Sequence, residues 1–190
     1  SEPGSPVGPS VGLVDLAGDL PAALGMADPT GPGVFDWLRT EPNAGPAALA
    51  RLATPVNPGL SVIHAGSTPR APGAVSPQAW TALATALTGT ADRLAEHTLI
   101  DAGLGEPPPA LREAAHHDVL VVRGCYLALR RCAALQRPPT AVIHVAEPGR
   151  ALRRREIEQI VGVPVIAEID IDPSVARKVD AGLLAGTVPE

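Results

Sequence analysis

The sequence predicts a three-layer α/β/α sandwich built on a mostly parallel sheet, and three observations carry that prediction. Short runs of Val, Leu and Ile alternate with helical patterns. The runs are apolar along their whole length, as strands covered on both faces must be. Two of them, LVDLAGD at 13–19 and TLIDAGLG at 98–105, close on an aspartate and then on small residues. That is where a parallel sheet presents its ligand-binding edge. Aromatic residues make up only 2% of the chain, so the core has to be built from small aliphatic side chains. At 190 residues, one domain with a real core is sufficient.

The elements follow in order. Residues 1–10, SEPGSPVGPS, are rich in Pro, Gly and Ser and read as a flexible N-terminal segment. A strand is expected at about 11–15, then a short helical turn in LPAALGM with Asp19 as its N-cap. GPGVFDWLR starts a second short helix that buries Phe35 and Trp37, residues 46–52 form a third, and GLSVIHAG at 59–66 is strand-like. Ser76 with Pro77 behind it is the clearest helix start, and its apolar period runs to Leu94. Strands are expected again at 98–101, 118–124, 140–146 and 163–169. Between them lie helices ending near Ala115, at 125–135 and at 150–161, the last stopped by Gly162. A final helix is capped by Gly182.

Composition excludes several functions. A net charge of −5 argues against a general nucleic-acid coat. Cys125 and Cys132 stand seven apart on one helix, about 10 Å along its axis, too far to bridge. They read as buried thiols of a reducing cytoplasm. His116 and His117 are adjacent and have no further ligand at metal-site spacing. Arg153 to Arg155, followed by Glu156 and Glu158, reads as a solvated helix face laced by ion pairs. No stretch reaches the roughly 18 apolar residues of a membrane span, so a soluble, cytoplasmic protein is expected. Ser5, Ser10 and Ser67 lack the G-x-S-x-G setting of a hydrolase nucleophile. The single lysine is Lys178, so no G-x-x-x-x-G-K-[ST] phosphate loop is present.

The order of these motifs resembles the MinD/ParA superfamily of deviant P-loop ATPases, of the SIMIBI class, and within it the CpaE/TadZ-like branch most. VGLVDLAGDLPAALGM is similar to the strand of that family that ends in aspartate and enters a G-D-L-x-x-x-L-G turn. GPGVFDWL, GLSVIHAGSTP, HTLIDAGLG and HDVLVVRGCYLALRR resemble the segments that follow, HTLIDAGLG being the Walker B strand. The tail REIEQIVGVPVIAEIDIDPSVARKVDAGLL is the most specific stretch. In the family a first strand, a glycine-rich loop and a helix precede the LVD strand, and here ten residues do. Residues 11–190 are therefore expected to form a MinD/ParA-like domain without its first strand, phosphate loop and first helix.

The resemblance implies ATP and Mg²⁺ as cofactors, a homodimer formed around nucleotide, and protein partners in septum placement, chromosome partitioning or pilus assembly. It implies that Asp101 holds Mg²⁺ through a water and that Gly103 lets a phosphate approach. The alternative for Asp101 is a strand-end aspartate that caps its own loop. Asp15 matches the first acid of the family's D-x-D, but the second position is Ala17. Asp19 either substitutes for it in a reshaped turn or caps the helix at Pro21. His144 lies where the family reads adenine with an asparagine, or is a half-buried strand-end histidine. Asp172 and Pro173 match the loop flanking the base, and equally make a good helix start. EPGR at 147–150 falls where family members contact the base. ATP hydrolysis by this chain is not expected, and a non-catalytic interaction scaffold is the rival reading. The C-terminal LLAGTVPE has neither the basic residues nor the length of a membrane-anchoring helix.

Overall fold

The computed structural model describes residues 10–40, 45–66, 75–89 and 94–187. The segment 1–9, Ser67 and residues 90–93 of the helix expected to run to Leu94 lie outside the described residues. The elements run β1 (Val11–Asp15), α1 (Leu20–Ala23), α2 (Val34–Thr40), α3 (Gly45–Ala50), β2 (Thr54–Asn57), β3 (Leu60–Ile63), α4 (Pro77–Thr88), β4 (His97–Asp101) and α5 (Pro109–Ala114). They continue with β5 (Val119–Arg123), α6 (Tyr126–Cys132), β6 (Ala141–Ala146), α7 (Arg154–Val161), β7 (Val165–Asp170), α8 (Pro173–Asp180) and a 3₁₀ turn at Ala185–Thr187. This is an α/β protein with mostly parallel strands, grouped by hydrogen bonding into a sheet of order β2-β3-β1-β4 and a sheet of order β5-β6-β7. The chain divides into two compact units, residues 1–114 with 174–190, and residues 115–173.

In the first unit only β2 runs antiparallel to its neighbour. Val14 pairs in register with Ile63 on one side and Ile100 on the other, so the three share one sheet face. Onto that face pack Val34, Phe35, Trp37 and Leu38 of α2, Leu49 of α3, Leu83 of α4 and Leu111 of α5. Phe35 meets Trp80 edge to face, ring centres 6.2 Å apart. The start of α4 is the expected one: Ser76 Oγ accepts the Ala79 N–H at 3.1 Å. The helix ends at Thr88 because Gly89 turns to extended backbone, six residues before the apolar period runs out.

In the second unit both pairings are parallel. Val122, His144 and Glu168 lie side by side across β5, β6 and β7. Val122, Leu129, Val142, Ile157, Val161 and Val165 form the core that α6 and α7 cover. The opposite face carries Val121, which pairs with Ile143, and it stays 62% exposed. The solvated face expected on α7 is present, with Arg154 Nε bonded to Glu158 at 3.0 Å. Gly162 closes the helix at φ 81°, where a side chain would strain the backbone.

Candidate functional site

Two aspartates end adjacent parallel strands in register, Asp15 on β1 and Asp101 on β4. The ladder continues past them, because the Leu16 N–H donates to the Asp101 carbonyl at 2.8 Å. Their side chains do opposite things. Asp15 is fully buried, and its carboxylate accepts the backbone N–H groups of Gly18 and, at 3.3 Å, of Leu20. Both oxygens are thereby spent on the turn that leads into α1. Asp19 occupies the N-cap position of α1 but makes no side-chain cap bond, so the expectation that it caps the helix is corrected. The acid four residues earlier in the chain turns back and does that work.

Asp101 is exposed. Its Oδ1 accepts the Gly103 N–H at 2.9 Å, and its other oxygen has no partner among the described residues. Gly103 sits at φ 72°, and a Cβ there would lie 3.2 Å from the Ala17 Cβ. The β4 loop and the β1 loop thus meet with only small residues between them. Within this unit Asp15, Ala17, Asp101 and Gly103 form one corner at the C-terminal edge of the sheet.

This corner offers one exposed carboxylate, the kind of ligand taken by a hard cation that keeps most of its waters. No group of three or more His, Cys, Asp or Glu side chains suited to a metal occurs among the described residues. A triphosphate cradle does not fit what is described: the one lysine, Lys178, lies in α8.

The other expected site residues belong to the second unit up to Pro173. His144 is 2% exposed, more deeply buried than a half-buried strand end. Its Nδ1 is 3.0 Å from the Glu168 carboxylate, while Nε2 has no partner among the described residues. A Cβ on Gly124 would come within 3.0 Å of that nitrogen, so His144 is roofed by the β5–α6 turn. Glu147 is bonded to Arg123 at the end of β5 and, at 2.6 Å, to Arg150, which closes the EPGR loop on itself. Asp172 is exposed and Pro173 opens α8, none of whose residues is buried.

Glu168 and the Glu147 clamp went unrecognised in the sequence. The placement of EPGR pointed to the loop, whereas nothing local marks Glu168, whose partner is set by strand register. Cys125 and Cys132 are half-buried rather than buried, and burial raises the Cys132 thiol pKa above its ordinary value.

No protein-family profile matches this chain, and no curated protein matches it by sequence. Solved structures do match. A ParA family ATPase from Chlorobium tepidum TLS aligns with 93% of this chain and 78% of its own length at 16% identity and a TM-score of 0.69. MinD of Aquifex aeolicus, solved in a MinC:MinD cell division complex, covers 94% of this chain and 76% of itself, at 16% identity and TM-score 0.69. The septum site-determining protein MinD of Pyrococcus horikoshii OT3, complexed with Mg-ADP, gives 94% and 75% at 18% identity and TM-score 0.67. At such identities the likeness speaks to architecture, and it agrees with the motif order read from the sequence. This chain has the fold of the MinD/ParA ATPases.

Proposed function

We propose that this chain serves a spatial-positioning system of the MinD/ParA kind, with the Asp101–Gly103 corner as the metal side of a nucleotide site. The observation that carries this reading is the corner itself: an exposed carboxylate oriented by its own loop, beside a glycine of positive φ whose Cβ position lies 3.2 Å from the Ala17 Cβ. Bound there, Mg²⁺ would neutralise phosphate charge, with Asp101 holding it directly or through water. Asp101 orients, and Gly103 admits the phosphate. Septum placement and chromosome partitioning are the processes the fold suggests, and the CpaE/TadZ-like tail adds pilus assembly. Hydrolysis is not expected, because Asp15 is committed to the backbone and Ala17 supplies no second acid.

Titration of a fluorescent ATP analogue with and without Mg²⁺ tests the reading, with Asp101→Asn as the variant. Mg²⁺-dependent binding that weakens about tenfold in Asp101→Asn supports it. Binding indifferent to both metal and variant refutes it. The rival, a non-catalytic interaction scaffold, is favoured by apolar side chains left bare on strands, Leu99 at 59% and Ile169 at 52% exposure. Light scattering separates the two: a homodimer that appears only with nucleotide favours the switch, and constitutive association favours the scaffold.

A further inference from the structure

A cavity of about 370 Å³ opens in the first unit beside β3, and no residue of the Asp101 corner lines it. Its apolar surface comes from Met26, Leu52 and Val62, and its polar groups include Asp28, Arg51 and His64. His64 is only 8% exposed. Its Nδ1 accepts the Gly66 N–H at 3.0 Å, so in the neutral ring the proton sits on Nε2, a donor without a partner among the described residues. Arg51 and Asp28 line the same space, yet neither side chain pairs with the other or with any other described residue.

The His64 side of the cavity is held in place before any ligand arrives. The Val34 N–H donates to the His64 carbonyl at 2.9 Å and the Phe35 N–H to the Ala65 carbonyl at 3.1 Å. Asp36 accepts the Gly33 N–H at 2.8 Å. Gly33 lies so close that a Cβ on it would be 2.2 Å from the Gly66 nitrogen. A preformed cavity spends less binding free energy on ordering itself. Its volume falls at the small end of the roughly 300–1,000 Å³ typical of ligand pockets.

We propose that this cavity binds a small zwitterion of the α-amino-acid class with an aliphatic side chain. A simple anion would meet the Asp28 carboxylate, and a simple cation would meet the Arg51 guanidinium. A molecule carrying both charges satisfies each. Its carboxylate takes the Arg51 fork and the His64 Nε2–H, its ammonium takes Asp28, and its side chain lies on Met26, Leu52 and Val62.

Calorimetric titration of the full chain with L-leucine tests the proposal, beside 4-methylpentanoate, which lacks the ammonium, and 3-methylbutylamine, which lacks the carboxylate. The variants are Arg51→Gln and Asp28→Asn, both at exposed positions outside the packed core. Saturable leucine binding is expected, with each analogue and each variant weaker by about tenfold or more and the far-UV circular dichroism of the variants unchanged. Absence of leucine binding at millimolar concentration overturns the proposal. So does an affinity that Arg51→Gln leaves unchanged, or 4-methylpentanoate binding as tightly as leucine.

Discussion

Replacing Asp15 by alanine removes the acceptor for two backbone N–H groups at the entrance to α1. A hydrogen bond to a carboxylate contributes about 1.5–3 kcal/mol to stability, net of what water offers the same donors. The Gly18 bond counts as an ordinary bond to a carboxylate, while the Leu20 bond at 3.3 Å counts at the weak end. The expected loss is about 3 kcal/mol, or roughly 6–12 °C in Tm for a chain of this length. Trp37 and Trp80 both lie in the first unit, so tryptophan fluorescence in urea reads the unit that Asp15 supports. With a slope of about 2 kcal/mol per molar urea, the midpoint falls by about 1.5 M at unchanged slope. Asp15→Asn, which keeps the shape and one acceptor, should lose about half as much. Asp101→Ala is the control: its carboxylate is exposed and serves one local bond, so a loss under about 1 kcal/mol is expected. An Asp15→Ala protein within about 1 kcal/mol of the parent would refute the assignment of Asp15 to the turn.

Gly33→Ala pushes a methyl into the Gly66 nitrogen and, at 2.4 Å, the His64 carbonyl, so backbone must move. A loss of about 3 kcal/mol or more is expected from the same urea titration. The Val165 N–H and then the Arg154 side chain hold the Glu158 carboxyl below its ordinary 4.5. A lowered pKa contributes stability that is present above pH 4.5 and lost as pH falls through the folded-state value. The gap in Tm between the parent and Glu158→Gln should therefore be open at pH 7 and close in acid. A gap of the same size at both ends would contradict it. The second unit buries a core of six residues against fourteen in the first. Hydrogen exchange followed by mass spectrometry should accordingly show β5 and β6 opening before β1 and β3. Equal protection would argue that burial does not rank the two units.

Most elements were legible because their signals are local. Whole-length apolar runs marked β1, β4, β5, β6 and β7, Ser76-Pro77 marked the start of α4, and Gly162 marked the end of α7. β2 was not legible: TPVN is four residues long, contains a proline and has no apolar run. It pairs because Asn57 turns the chain, its side chain accepting the Gly59 N–H at 3.0 Å and leading directly into β3. The cap of α1 was assigned to Asp19 by spacing, whereas chain direction after β1 brings Asp15 to the Gly18 and Leu20 N–H groups at the entrance to the helix. His144 and Glu168 meet through strand register, and that register shifts between Val142 and Ile143. Such a shift leaves no trace in spacing.

Asp15 and Asp101 differ in environment more than in motif. Each ends an apolar parallel strand and is followed by small residues. β1, however, is flanked by β3 and β4, so its C-terminal end is enclosed and a carboxylate there must find backbone donors. Among the described strands β4 has β1 on one side only, and its terminal carboxylate is exposed. The acid on the inner strand is therefore drawn into structure, and the acid at the end of β4 keeps one oxygen without a partner among the described residues. A strand added to the free edge of β4 would keep Asp101 at the C-terminal rim while partly enclosing it. Lower local dielectric would then strengthen the pull of that carboxylate on a cation. On this argument a cation at the proposed Asp101 corner would be held more tightly once the sheet edge is completed, while the backbone bonds of Asp15 would stay the same.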